Sequence, residues 1–399
     1  MGNEECQVGI DEFNVVLKPT CDVDTEDWID EVDAILEVFF GRSKIGKLFG
    51  TTALNARCPA GYTDALTIDK VSWYFAVAWH KYYPEMGCLV RFSAEAWATY
   101  QKAYEDYYGS PMNIWVFLHM ILSPIYKVRI SRIDLTADYK NYGFRLTPDY
   151  IYQKLKKGDY VIKDCKERVT RRKISAIEKD WDVETFYIGS KKEKSKLLMR
   201  VYDKRTEQIQ KTGFRLDEAL QCVDWTRFEA SYRGDYAHQI TDRLINDIKG
   251  TDELAGFIAQ MILNKYMFYE KTTDKLTGEE IDEETEFTYE LMHIAENSAS
   301  YSLRTENPEN NTLVQSIRYL TKGSGFFPIM LKVGCIWGED AELELLDWLY
   351  QEYKKKYKSE SRNIDKLAKW FHDNRSSLSK QALGDYLQEK YYFSIGDTD

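Results

Sequence analysis

The sequence predicts an α+β fold, with strands and helices mixed over the first two-thirds and helices alone toward the end. Three observations predict it. Apolar and polar residues alternate with period two in segments such as 127–139 and 226–233. Capping signals at Asp24-Thr25-Glu26-Asp27, Ser93 and Pro148 open helical stretches between such segments. From about Asp235 onward the apolar spacing becomes mainly helical.

Taken in order, Asp11 to Pro19 alternates as a first strand, and the acidic turn at Asp24 opens a helix to about Phe40. Gly61 to His80 is rich in aromatic and β-branched residues and reads as a two-stranded hairpin, with Gly87 to Phe92 a further strand. Ser93 caps a helix over Ala94 to Tyr107, and Met112 to Leu122 forms another, stopped by Pro124. The strand Lys127 to Tyr139 follows, then a helix from Pro148 to about Lys157. Phe186-Tyr187-Ile188-Gly189-Ser190 and Arg200-Val201-Tyr202-Asp203 form the arms of a hairpin whose turn is Lys191 to Ser195. A helix over Thr206 to Lys211 leads to the strand Thr226 to Tyr232. Beyond it, Asp252 to Tyr269 reads as one long helix and Lys271 to Thr285 as a polar, mobile segment. Helices are expected at Leu313 to Leu320, Pro328 to Ile336, Asp340 to Lys356, Asn363 to Ser376 and up to Tyr392.

Composition narrows the class. Hydrophobic residues at 44% across 399 residues can bury a sizeable core. The seven scattered cysteines contain no Cys-x-x-Cys pair, so neither a zinc ribbon nor a disulfide framework is indicated. No apolar run is long enough to span a bilayer and the acidic N-terminus lacks a signal core, so a reduced cytoplasm and no membrane partner are expected. The net charge of -11 argues against nucleic acid only on average, because residues 151–215 hold 19 Lys/Arg against 10 Asp/Glu. Such a strip can bind phosphate through counterion release, or can simply be a solvated face. Gly41 to Lys47 matches most of a phosphate-binding loop, but Leu48 stands where Ser or Thr would hold Mg²⁺.

Two segments carry candidate chemistry. Strand alternation puts Arg132, Asp134, Thr136 and Asp138 on one face, and Arg227, Glu229, Ser231 and Arg233 on one face of a later strand. Three carboxylates from two strands suit a hard cation, Mg²⁺ or Mn²⁺, although ordinary arginine–carboxylate pairs on a sheet would look the same. Tyr187 stands beside Gly189 and Ser190, with Lys191, Arg200 and Lys204 near in sequence. A tyrosine needs a neighbouring cation or metal to serve as a nucleophile toward phosphate. With 29 tyrosines in the chain, an ordinary strand aromatic is the competing reading.

The ordered set Arg-Ile-Asp-x-x-x-Asp (from Arg132), Tyr-Ile-Gly-Ser (from Tyr187), Arg-Val-Tyr-Asp-Lys-x-x-Glu-Gln (from Arg200) and Trp-x-Arg-x-Glu (from Trp225) resembles the Rep_trans rolling-circle replication initiators and related conjugative-element relaxases. The resemblance spans about residues 10 to 355. It implies a modified HUH-type antiparallel sheet packed with helices, followed by a mainly helical C-terminal region. The five histidines form no His-x-His pair, consistent with a carboxylate metal site. By resemblance, Asp134, Asp138 and Glu229 would hold the metal, Tyr187 would be the nucleophile, and Lys191, Arg200 and Lys204 would offset charge. The implied activity is a site-specific single-strand nickase and strand transferase, in residues 8–250, with 251–399 serving DNA binding or dimerisation. The implied partners are origin or transfer-origin DNA, a second copy and a host helicase. A relaxase of an integrative element and an inactive DNA-binding protein on the same fold are the alternatives.

Overall fold

The structure is a computed structural model that describes residues 3–358 apart from short stretches (22, 51, 55–57, 69–72, 180–181, 193–194, 274–277 and most of 297–324), together with 372 and 382–385. The chain divides into two compact units, Met1–Arg304 and Thr305–Asp399. The region expected to be catalytic, 8–250, lies within the first.

The first unit is built on two antiparallel sheets. Its strands are β1 (Glu5–Pro19), β2 (Thr52–Leu54), β3 (Asp64–Ile68), β4 (Phe75–Trp79), β5 (Cys88–Phe92), β6 (Tyr126–Lys140), β7 (Tyr160–Lys163), β8 (Ile174–Lys179), β9 (Asp182–Gly189), β10 (Leu197–Asp203), β11 (Trp225–Arg233), β12 (Met267–Thr273) and β13 (Glu280–Glu284). The helices are α1 (Trp28–Ser43), α2 (Ile45–Phe49), α3 (Ala94–Tyr108), α4 (Ile114–Ile121), α5 (Pro148–Lys157), α6 (Lys204–Lys211), α7 (Leu216–Gln221), α8 (Asp235–Asn246), α9 (Leu254–Leu263) and α10 (Glu286–Ala295). Ten strands form one sheet in the order β2-β3-β4-β5-β1-β6-β11-β10-β9-β8, and β13-β12-β7 form the other. The α+β class and the antiparallel sheet packed with helices are thus as expected.

The two 15-residue strands β1 and β6 form the centre of the large sheet. One face is core: Phe13, Val15 and Leu17 on β1, Ile133, Leu135 and Ala137 on β6, and Phe228, Ala230 and Tyr232 on β11 are all buried. Phe13 alone packs its ring against Phe92 at 5.1 Å and Trp97 at 4.9 Å. Ser93 caps α3 as its sequence predicts, accepting from the Ala96 backbone N–H.

Register shifts interrupt the β1–β6 ladder twice. One extra β1 residue lies between Ile10 and Phe13, and one extra β6 residue between Ile130 and Arg132. The first bulge carries Asp11 and Glu12, and so turns two carboxylates toward the face opposite the core.

Two sequence expectations need correction. The helix expected over Asp252 to Tyr269 ends at Leu263, and the chain turns into β12. Within the segment expected to be mobile, 271–285, residues 271–273 and 280–284 instead pair as β12 and β13. The physical reason is tertiary: Phe268 packs on Phe287 at 5.1 Å and Phe228 at 5.8 Å while β12 pairs with β7. In the second unit, α11 (Phe326–Trp337) and α12 (Glu339–Glu352) meet at Gly338, and neither helix holds a buried residue. The helices expected at 363–376 and up to 392, and most of 313–320, fall outside the described residues. Among the described residues, no helix is long and apolar enough to cross a membrane.

Candidate active site

The non-core face of β6, β11, β10 and β9 carries the polar residues singled out above. Cross-strand register sets them in rows. Thr136 faces Glu229, Glu229 faces Arg200, and Arg200 faces Tyr187, so these four residues cross four strands on one face. Tyr187 and Glu229 are two strand-to-strand steps apart, about 10 Å at the backbone. Arg200 stands between them and donates from Nη2 to Glu229 Oε2 at 2.6 Å. The Arg200 Nε is buried and has no hydrogen-bond partner among the described residues. Such an orphaned donor costs about 1–3 kcal/mol, which an acceptor oxygen brought by a ligand could recover.

Tyr187 is half-buried near the edge of the sheet, and the Lys191 ammonium lies 3.5 Å from its ring centroid, a cation–π contact. Gly189, expected to open room for a phosphodiester, has a more local reason for being glycine. Its φ is +121°, and a Cβ there would come 3.0 Å from the Leu197 carbonyl oxygen of the neighbouring strand. Ser190 Oγ accepts from the Lys192 backbone N–H and so shapes the turn. Tyr202 lies on the same face but is buried, its hydroxyl 3.4 Å from Glu229 Oε2 and its ring 4.0 Å from the Arg200 guanidinium.

The carboxylates separate into two kinds. Asp138 is saturated: Arg227 donates to both of its oxygens at 2.6 and 2.7 Å, Trp225 Nε1 donates at 2.7 Å, and Arg215 lies at 3.3 Å. Burial would raise the Asp138 carboxyl, but Arg227 outweighs it and holds the group below the usual carboxylate range. Asp134 and Glu229 lie on neighbouring strands of the same face. Burial pushes the Glu229 carboxyl up to about 7, with Asp134 and Asp11 adding to the rise and Arg200 opposing it. Repulsion of this kind is what a bound cation would relieve.

The fit to a hard cation is therefore confined to Asp134 and Glu229. Both carry arginines, Arg132 on Asp134 and Arg200 on Glu229. Among the described residues, no group of three or more His, Cys, Asp or Glu side chains converges as metal ligands. Asp138, expected as the third ligand, has no oxygen left for one. Lys204, expected to offset charge at the phosphate, is buried at the start of α6 and paired with Glu207 at 2.7 Å. Sequence reasoning missed Asp11, which bonds Arg227 at 2.6 Å, and Glu12, which bonds Arg132 at 2.8 Å. Two adjacent carboxylates breaking the alternation of a first strand are the signal that could have found them.

Comparison with known proteins identifies a family and a similar fold. The Rep_trans family, described as replication initiation factor, matches residues 128–342, more than half of the chain. The fold is similar to that of a rolling circle replication initiator protein from Geobacillus stearothermophilus. The two chains are 16% identical, with a TM-score of 0.50 over 75% of this chain and 100% of that one. No curated protein matches the chain.

Proposed function

The chain belongs to the Rep_trans family of replication initiation factors, and from that premise we propose that it is a site-specific DNA nickase and strand transferase that starts rolling-circle replication. The observation that carries the reading is the row Glu229, Arg200 and Tyr187 on one sheet face, with Lys191 against the tyrosine ring. The Tyr187 hydroxyl oxygen attacks the scissile phosphorus. A 5′-phosphotyrosyl ester forms, the bond to the 3′ oxygen breaks, and that oxygen takes up a proton in place of the one the phenol loses. Lys191 and Arg200 offset the charge that gathers on the phosphate during attack. Asp134 and Glu229 would hold Mg²⁺ or Mn²⁺, which when bound supplies positive charge against the scissile phosphate. Asp138 and Lys204 serve as anchors of the sheet face. A second copy and a host helicase acting beyond the nick belong to the same proposal, and a relaxase would use the same chemistry on a conjugative element.

One observation favours the non-catalytic reading: arginines already occupy Asp134 and Asp138. The test is nicking of a supercoiled plasmid that carries the origin of the element encoding this chain. Nicking is expected with Mg²⁺ or Mn²⁺, and Glu229→Gln should slow it by at least about a hundredfold. As a readout apart from activity, Mn²⁺ should raise the melting temperature of the wild type and leave that of Glu229→Gln unchanged. An unchanged rate in EDTA would remove the metal from the reading. Origin binding without cleavage under any metal would leave the non-catalytic one.

A further inference from the structure

Four residues along the strands from the Tyr187 row, roughly 13 Å, a second row crosses the same face. Arg91 on β5 and Arg132 on β6 flank Asn14 of β1, and Arg132 faces Arg233 of β11. Lys196, whose carbonyl accepts from the Arg233 backbone N–H, precedes β10, and Lys191 lies in the turn that leaves β9. Toward the start of β6, Lys18 faces Lys127, and Arg129 projects from the same side opposite Val16.

Like charges directly opposite each other destabilise a sheet. This face holds two such pairs, Arg132–Arg233 and Lys18–Lys127. Glu12, Asp134 and Asp235 offset part of the charge through Arg91, Arg132 and Lys196. Lys18, Lys127 and Arg129 are exposed and make no ion pair among the described residues. The local field is felt nearby: burial holds the His238 imidazole down to about 4, and Arg129 pushes the same way. From β5 to β9 the row spans five strand-to-strand steps, about 24 Å. Charges spread that far cannot converge on one phosphate, so they suit an extended polyanion.

We propose that this cationic row, continued by Lys127 and Arg129, is the track on which the backbone of the single DNA strand lies beside the nucleophile. The track rests on the nickase reading and adds the route of the substrate. Its charges come from strands far apart in the chain and lie largely outside the basic stretch 151–215.

The experiment uses the full chain and a fluorescent single-stranded oligonucleotide of mixed sequence, titrated at several salt concentrations. Lys127→Glu with Arg129→Glu should weaken binding about tenfold or more, and should flatten the slope of log K against log salt by about 1.4, or about 0.7 for each lost contact. Lys47→Glu with Lys102→Glu makes the same charge change at exposed positions elsewhere and should leave the slope as in the wild type. Lys127→Gln with Arg129→Gln should reproduce the flattening with an unchanged circular dichroism spectrum. Equal effects from the two reversed pairs, or wild-type binding by Lys127→Glu with Arg129→Glu, would overturn the track. Covalent adduct formation at saturating DNA, read in the same samples, reports separately on the nickase reading.

Discussion

Tyr187→Phe is expected to abolish the covalent adduct with a single-stranded suicide oligonucleotide while leaving DNA binding within about twofold. The substitution removes only the attacking oxygen, and the ring stays available to the Lys191 ammonium. Tyr202→Phe should still form the adduct. The Tyr202 hydroxyl is buried, and burial raises it well above its ordinary range. The Arg200 guanidinium lies over its ring, and the residue is only 3% exposed. Its bond to Glu229 is long at 3.4 Å, so losing it should cost no more than about 1 kcal/mol. Peptide mapping of the trapped wild-type protein decides the matter. A nucleotide on Tyr202, or an adduct formed by Tyr187→Phe, would reverse the assignment.

What the sequence made legible follows from what is local. The alternation in β6 and β11 is visible because one face is uniformly apolar, and it correctly sorts Ile133, Leu135 and Ala137 from Asp134 and Asp138. The pairing of β9 with β10 is legible for the same reason. The partners of those polar residues are another matter. Arg227 and Asp138 face each other only because β11 pairs with β6, 89 positions away in the chain. Whether a carboxylate is free for a metal or held by an arginine depends on that register, which local periodicity does not contain. The β1 bulge is likewise invisible as geometry, although it aims Asp11 at Arg227. At β12, Met267 to Tyr269 continues the apolar run of α9, and the strand forms because β7 and β13 supply its hydrogen bonds.

Asp138→Asn should destabilise the first unit by about 2–3 kcal/mol, short of the full cost of a buried charge left without any partner, because Asp11 still holds Arg227. Arg227 is 2% exposed and divides its guanidinium between Asp138 and Asp11, so the amide variant takes away one of the two carboxylates that hold a buried charge. Replacing both residues with apolar ones of similar volume, Asp138→Leu with Arg227→Met, should cost much less than the sum of the single changes. The pH dependence has a definite sign. The folded Asp138 carboxyl lies below its unfolded value of about 3.9, so the pair stabilises fully above that value and the benefit is lost as pH falls through the folded one. The wild type should therefore lose stability in acid more steeply than Asp138→Asn does. Denaturant unfolding with Mn²⁺ and with EDTA separates the anchor from a metal ligand. An anchor predicts the same loss in Asp138→Asn under both conditions, because its oxygens are already taken by Arg227 and Trp225. A loss that grows with Mn²⁺ would return Asp138 to the metal.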